Sequence, residues 1–228
     1  MTKQLFIPVI AIDGPSGSGK GTIARNVAKS LGFHLLDSGA LYRSLVIVAD
    51  KKNISYSDHE QLSLIANDLK IKFNSNIDEY EKILLDGNDI TLQVRNETTG
   101  LKASKIAEIP EVRKSLLGFQ RSFLKPPGLV ADGRDMGSHV FPSAVIKVFL
   151  TAKIDERTKR RYKQLKDKGM NVNLAAVSQE IKSRDRRDSE RSVAPLVAAK
   201  GAKILDTSDL SIDDVTKMIL KWYLNRKI

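Results

Sequence analysis

The chain has 228 residues, enough for one α/β domain with a buried core and one small inserted domain. It contains no cysteine and only three histidines, which excludes disulfide frameworks, zinc fingers, iron–sulfur sites and thiol nucleophiles, so any metal must be bound by oxygen. No apolar run approaches the roughly 20 residues of a membrane-spanning helix, and the start lacks the apolar core of a signal peptide. We therefore expect a soluble, cytoplasmic protein without a membrane partner.

The formal net charge of +11 favours a polyanionic ligand. Residues 153–191 contain 13 Lys and Arg against 7 Asp and Glu. Their only aromatic residue is Tyr162, whereas proteins that bind single-stranded nucleic acid usually place stacking aromatics among their basic residues. A phosphate-rich small molecule is therefore favoured, and a nucleic acid is the second interpretation.

The first elements along the chain predict a strand, a glycine loop and a helix. Residues 6–12 form an apolar run, and Ile23, Val27 and Leu31 follow at a spacing of four until Gly32 signals the end of a helix. Residues 14–22 between them read GPSGSGKGT. This nearly matches G-x-x-x-x-G-K-[ST], whose backbone N–H groups and lysine bind the phosphates of a nucleotide. The predicted ATP-binding residues are Gly14, Pro15, Ser16, Gly17, Ser18, Gly19, Lys20, Gly21 and Thr22.

One position of this loop departs from the pattern. The hydroxyl residue that comes after the lysine and binds Mg²⁺ in other phosphate loops is replaced by Gly21, and a hydroxyl appears one residue later, at Thr22. Either Ser18 or Thr22 reaches the ion or its water shell, or the ion is held mainly by phosphate oxygens and water. Looser metal binding suits an enzyme in which two nucleotides share one ion.

The rest of the chain predicts a parallel sheet with an antiparallel insertion. Further strands are expected at residues 33–36, 128–132, 144–150 and 202–206. Asp37 and Ser38 can cap a helix over 39–51, and the box-like SIDD from Ser211 begins the last helix. Between the second and third strands come a helix near 58–69, alternating strands in 71–74 and 81–94 with a turn at Asp86-Gly87, and helices near 97–109 and 111–124.

Four segments in this order resemble the bacterial cytidylate kinases, a family of P-loop nucleoside-monophosphate kinases: IAIDGPSGSGKGT, LLDSGALYR, ADGRDMG and RDRRDSERSVAPL. The resemblance covers essentially the whole chain. It implies an α/β fold with a five-stranded parallel core flanked by helices, an inserted NMP-binding domain with a small antiparallel sheet, and a short lid. The corresponding segments here are core 1–57 with the phosphate loop and the start of the NMP site, insertion 58–127, core 128–152, lid 153–172 and core 173–228.

The resemblance also implies the reaction: transfer of the γ-phosphoryl group of ATP to CMP or dCMP, with Mg²⁺ as cofactor. We take a monomer as the default state. The substrate-binding residues that it implies are Ser38, Tyr42, Arg43, Ser104, Arg113, Asp132, Arg134, Asp135, Arg184, Asp188 and Arg191. The catalytic cations that it implies are Lys20, Arg134, Arg157 and Arg161, the last two on a basic helix that also carries Arg160.

These residue types suit the chemistry. The planar fork of arginine matches phosphate oxygens, so Arg43 and Arg134 are expected to clamp the acceptor phosphate. Asp132 lies at the end of a predicted strand, where ligands bind in open α/β sheets. Asp132 and Asp135 have the same two possible roles: to orient the water bound to the metal ion, or to accept a hydrogen bond from an amine of the nucleobase. However, the spacing that puts Arg184, Asp188 and Arg191 on one helix face is also typical of solvated salt-bridge networks. Taken alone, Ser104 and Arg113 would be ordinary solvated helix residues.

Three other functions compete with this one. A GTPase is disfavoured because Ala152 replaces the asparagine of N-K-x-D in AKID, and no D-x-x-G occurs in the chain. An ATP-dependent nucleic-acid-binding protein is suggested by the charge alone. A kinase for another small molecule, such as shikimate or dephospho-coenzyme A, would share the scaffold.

Overall fold

The computed structural model describes residues 6–74, 82–167 and 169–226. It divides the chain into two compact units, one formed by the residues up to Leu36 and from Phe123 onward, the other by Asp37–Ser122. The elements in chain order are β1 Val9–Asp13, α1 Lys20–Leu31, β2 His34–Asp37, α2 Ser38–Lys51, α3 His59–Asn67, β3 Ile71–Asn74, β4 Lys82–Leu85, β5 Asn88–Asp89, α4 Thr91–Val94, α5 Glu97–Ile106, α6 Pro110–Arg121, β6 Leu129–Gly133, a π-helical turn Met136–Val140, β7 Ile146–Thr151, α7 Ile154–Asp167, α8 Leu174–Glu190, β8 Lys203–Asp206 and α9 Ile212–Leu224. The domain boundaries expected from the sequence stay a prediction.

The first unit is built on the five-stranded parallel sheet that the sequence predicts, in the order β2-β6-β1-β7-β8. The central strand β1 is buried along its whole length and pairs in parallel with β6 and β7, so that Ile12 faces both Asp132 and Val148. Because parallel strands run in one direction, the residues directly after β1, β6 and β7 lie along the same edge of the sheet. Apolar residues of β1, α1 and α9, among them Ile12, Ile23 and Ile219, form one core cluster.

Two helices of this unit, α1 and α9, have capping residues at the ends where the sequence predicts them. Gly19 before α1 and Gly32 after it have left-handed backbones, with φ of 85° and 64°. Ser211 caps α9, since its Oγ accepts from the Asp214 N–H at 3.1 Å, as the SIDD pattern predicts.

The second unit combines α2, α3, α5 and α6 with the antiparallel sheet β3-β4-β5. The predicted turn at Asp86 and Gly87 is confirmed: both residues have positive φ, 49° and 82°, as a tight hairpin between β4 and β5 requires. The predicted cap of α2 is also confirmed, because the Asp37 carboxylate accepts from the Ala40 N–H at 3.0 Å. Residue 81, the first of the predicted strand region, lies outside the described residues.

One predicted strand is wrong. Thr91–Val94 is a helical turn rather than part of an extended segment. Asp89 accepts a hydrogen bond from the Thr91 N–H at 2.9 Å, and the Thr91 hydroxyl accepts from the Ile83 N–H at 2.9 Å. The first bond satisfies a backbone N–H at the start of the turn, and the second attaches the turn to β4, so that together they outweigh the alternating pattern of the segment.

Within the residues that the structure describes, no helix is both long and apolar enough to cross a membrane.

We expect Gly32→Ala and Gly118→Ala to change stability in opposite directions. An added Cβ would meet nothing within 4 Å at either glycine, but Gly32 has φ of 64° and Gly118 lies inside α6. The first change should lower the free energy of unfolding by about 1 kcal/mol, because alanine is strained in the left-handed region. The second should raise it by about 0.5–1 kcal/mol, because alanine favours the helix. Urea unfolding measures both, and a shift of the same sign in the two variants would contradict the prediction.

Candidate active site

The loop between β1 and α1 has the geometry of an anion-binding loop. Gly14, Gly17 and Gly19 have φ of 154°, 77° and 85°, where other residues are strained. A Cβ on Gly14 would lie 2.1 Å from the carbonyl oxygen of Leu150 in β7, so only glycine fits. Within the described part of the chain, the N–H groups of Gly17, Gly19 and Gly21 have no protein acceptor. Together with the positive end of α1 they can bind phosphate oxygens.

Lys20 lies at the start of α1, and its Nζ donates to the carbonyl oxygen of Pro15 at 3.2 Å. Burial, together with the positive charges of Arg134 and Arg184, lowers its pKa to about 7, and the negative charges of Asp132 and Asp188 oppose this shift. Two arginines and two aspartates therefore surround Lys20. A phosphate chain would supply the negative charge that keeps the ammonium protonated.

Gly21, the residue that departs from the common pattern, lies against Asp132. A Cβ on Gly21 would stand 3.2 Å from Asp132 Oδ2, closer than most real Cβ contacts. Asp132 is itself buried, at 8% exposure, directly before the last residue of β6. The missing side chain at position 21 therefore leaves room for a carboxylate beside the loop.

The two nearby hydroxyl groups differ in their surroundings. Ser18 is fully buried, and its Oγ donates to Pro15 O at 3.0 Å, whereas Thr22 Oγ1 accepts from the Arg25 side chain at 3.5 Å. Among the described residues, no three Asp, Glu, His or Cys side chains converge as a metal cage. The donor set, one carboxylate with hydroxyls nearby, fits a divalent cation that is held mainly by phosphate oxygens and water.

Asp13, the last residue of β1, is a buried carboxylate to which the sequence pattern assigned no role beyond ending the strand. Its two oxygens accept from the backbone N–H groups of Met136 and Gly137, each at 2.8 Å. Burial, together with the charges of Asp135 and Asp132, raises its pKa to about 6 against the lowering effect of these hydrogen bonds. Asp13 thereby fixes the segment after β6 that carries Arg134 and Asp135.

Arg134 and Asp188 form a buried ion pair, with 2.7 Å between Nε and Oδ2. Burial alone would lower the pKa of Arg134, but Asp188 outweighs it and raises the pKa above its ordinary value. Burial opposes ionisation of Asp188, yet Arg134 and Arg184 hold its pKa below the usual range. Arg191 Nη2 lies 3.6 Å from Asp135 Oδ1. The structure therefore brings the predicted residues at the end of β6 and those of α8 together.

Two arginines of the basic helix α7 differ in their burial and in their hydrogen-bond partners. Arg157 is buried, donates to the carbonyl oxygens of Ser16 at 3.1 Å and Ala152 at 2.9 Å, and pairs with Asp185 at 2.6 Å. Arg161 donates to Gln164 at the surface at 2.9 Å. The contact of either arginine with a transferred phosphoryl group stays a prediction.

In the second unit, Ser38 and Tyr42 are buried near the start of α2. The Ser38 hydroxyl accepts from the Gln120 side chain at 2.8 Å. Arg43 Nη1 donates to the carbonyl oxygen of Val94 at 2.9 Å, and a Cβ on Gly100 would meet the guanidinium at 2.9 Å. Arg43 thus joins α2 to the corner between α4 and α5, and its predicted phosphate contact stays a prediction.

Ser104 and Arg113 are buried, at 6% exposure each, and are therefore not the solvated helix residues that their local sequence would indicate. Arg113 Nη1 donates to the carbonyl oxygen of Ala107 at 3.3 Å. Sequence reasoning missed Gln120, Asp13, Asp185 and Thr207, whose partners are distant in the chain. Only Asp13 had a local signal, an acidic residue ending a buried strand directly before a glycine loop.

Comparisons with known proteins agree on one family. The family model described as cytidylate kinase matches residues 10–225. Curated proteins named cytidylate kinase include one from Polynucleobacter asymbioticus, 52% identical over 95% of this chain and 96% of its own length. Another, from Nitrosococcus oceani, is 50% identical over 97% of both chains. The crystal structure of an uncharacterized protein from Eubacterium ventriosum shares the fold, with a TM-score of 0.54 at 15% identity over 96% of this chain and 99% of that one.

We expect ATP binding to take up about one proton at pH 8, because a Lys20 with a pKa near 7 is mostly neutral there and an adjacent polyphosphate recharges it. Calorimetric titrations in two buffers with different ionisation enthalpies measure the uptake. Lys20→Arg, which stays charged, should bind ATP without it. Equal proton uptake by the two proteins would contradict the prediction.

We expect Asp13 to make stability depend on pH. Its native pKa of about 6 exceeds the ordinary value of 3.8, so the native state holds the proton more tightly than the unfolded chain. The stability that protonation contributes is full below about pH 4 and is lost as the pH rises through about 6. The loss amounts to roughly 3 kcal/mol at 1.36 kcal/mol per pKa unit.

Asp13→Asn lacks this ionisation and is the control. The difference in unfolding free energy, wild type minus Asp13→Asn, should fall between about pH 4 and pH 7 in urea titrations. A difference that stays constant, or one that grows with pH, would show that Asp13 is ionised without penalty in the native state.

Proposed function

Because the chain belongs to the cytidylate kinase family and transfers the γ-phosphoryl group of ATP to CMP or dCMP, we propose which residues perform each part of this reaction. The observation that carries the assignment is the meeting of a glycine loop, whose N–H groups have no protein acceptor among the described residues, with the clustered cations Lys20, Arg134 and Arg184. Unpaired amide donors beside clustered cations form a site for a polyphosphate.

The donor nucleotide is proposed to bind along residues 14–22. The backbone N–H groups surround the β- and γ-phosphates, and Lys20 supplies a charge that can follow the moving phosphoryl group. Kinases of this family generally use a divalent metal ion with ATP, and Mg²⁺ is proposed here. When bound, Mg²⁺ would neutralise phosphate charge. Asp132, which lies beside Gly21, is proposed to hold the ion or its water.

The acceptor nucleotide is proposed to bind through two groups of residues. In the first unit, Arg134 and Arg184 are proposed to bind the phosphate and Asp188 the ribose. In the second unit, Arg43 is proposed as a phosphate ligand, and Tyr42, its neighbour on α2, is proposed to bind substrate. Cytosine presents acceptors at N3 and O2 and a donor at N4, which suits arginine donors together with a hydroxyl or carboxylate. The residues proposed to read the base are Ser38, Ser104, Arg113, Asp132 or Asp135, and Arg191.

The proposed mechanism needs no general base. The attacking oxygen belongs to a phosphate monoester whose second pKa lies near ~6, so it is ionised at neutral pH. The task of the chain is then to align two anions and to neutralise the charge of the moving group. Lys20, Arg134 and Arg161 are proposed for this neutralisation. Arg157, which the resemblance implies as a fourth catalytic cation, donates to the carbonyl oxygen of Ser16 in the loop.

We expect the enzyme to phosphorylate CMP and dCMP with at least about 30-fold higher kcat/KM than UMP, AMP or GMP. Uracil presents a donor at N3 and an acceptor at O4, which leaves buried groups unpaired at a cost of about 1–3 kcal/mol each. A coupled assay with ATP and each monophosphate measures the ratio. Turnover of UMP or AMP equal to that of CMP would refute the base-reading assignment.

A further inference from the structure

The direction of each N–H group in the phosphate loop depends on the carbonyl group of the residue before it. In a trans peptide unit the C=O and N–H bonds point in opposite directions. A side chain that binds the carbonyl oxygen of Ser16 therefore also sets the direction of the Gly17 N–H. The Ser18 carbonyl and the Gly19 N–H are related in the same way.

Two buried side chains outside the loop bind these two carbonyl groups. Arg157 Nη1 lies 3.1 Å from Ser16 O, and Thr207 Oγ1 lies 3.3 Å from Ser18 O. Arg157 is 7% exposed and Thr207 is 2% exposed. The backbone of α7 also abuts the loop, since a Cβ on Gly17 would come within 3.1 Å of both Arg157 Cβ and Arg157 O.

Both donors are themselves held in place. Arg157 donates from Nε to Ala152 O at 2.9 Å and pairs with Asp185 at 2.6 Å. Thr207 Oγ1 accepts from Arg160 Nη1 at 3.1 Å. Its single hydrogen is then shared in a three-centre bond between Ser18 O at 3.3 Å and Thr151 O at 3.1 Å. The loop carbonyls thus meet donors whose own positions are fixed by α7, α8 and the end of β7.

We propose that Arg157 and Thr207 are positioning residues for ATP: by binding the Ser16 and Ser18 carbonyl oxygens, they align the loop N–H groups before the phosphate chain arrives. The inference rests on the phosphate-loop assignment proposed above. Gly17 and Gly19 have wide conformational freedom, so without these bonds their peptide units rotate, and binding must order them again. This alignment of the N–H groups affects the binding of the ATP polyphosphate and does not affect the binding of CMP.

Thr207→Val tests the proposal because it keeps the shape of the side chain and removes the hydroxyl, and Thr207→Ser is the matched control that keeps the hydroxyl. The Kd values of ATP and of inorganic tripolyphosphate, measured by calorimetry, should both rise about tenfold in Thr207→Val. The KM for CMP and kcat at saturating ATP should change less than about twofold. Thr207→Ser should bind both ligands like the wild type.

Arg157 is tested in a pair of variants that avoids an unpaired buried charge. Arg157→Met combined with Asp185→Asn removes the ion pair and the bond to Ser16, while Asp185→Asn alone leaves the guanidinium in reach of Ser16 O. The double variant should weaken tripolyphosphate binding several-fold more than Asp185→Asn does. Equal weakening in the two would overturn the role of Arg157, because the loss would then come from the ion pair.

Lys20→Ala separates the two proposals. Unchanged tripolyphosphate affinity in Lys20→Ala would overturn the phosphate-loop assignment itself. Weaker binding by Lys20→Ala, with wild-type affinity in Thr207→Val and in the Arg157 double variant, would overturn only the positioning role. Equal losses in CMP binding and in ATP binding would also overturn it, because they would indicate a general structural effect.

Discussion

The pairing of β1 with a parallel strand on each side is the constraint on which the candidate site of the first unit depends. Parallel strands bring their carboxyl-terminal connections to one edge of the sheet, and each of four strands here contributes a different part. The glycine loop comes after β1, Arg134 and Asp135 after β6, α7 after β7, and Thr207 after β8. A register shift of one residue in β1 would separate Asp13 from the N–H groups that it binds after β6.

The charges gathered at this edge are mutually dependent. Buried ion pairs such as Arg134–Asp188 rarely stabilise a fold more than apolar side chains of the same volume would, because both charges lose their hydration. We propose that they serve ligand binding: while no nucleotide is bound, the carboxylates balance the charge of the arginines and orient them. The low pKa of Lys20 and the high pKa of Asp13 express the same balance, in which burial opposes every charge that lacks a close partner.

Sequence patterns predicted those elements that are determined by residues close together in the chain. The apolar periodicity located all five strands of the parallel sheet, and the glycines located the loop and the end of α1. The exception, Thr91–Val94, failed because two side-chain hydrogen bonds compete with the strand pattern. The partners of Asp13, Gln120 and Thr207 could not be predicted, since each lies more than 80 residues away. The burial of Arg113 likewise depends on packing that a helical pattern does not reveal.

Position 21 and Asp132 compete for the same space. Grafting a serine onto position 21 would put its Cβ 3.2 Å from a carboxylate oxygen of Asp132, so that side chain would have to shift by a few tenths of an ångström to admit it. Engineers who swap loop motifs between kinases would therefore have to adjust both positions together.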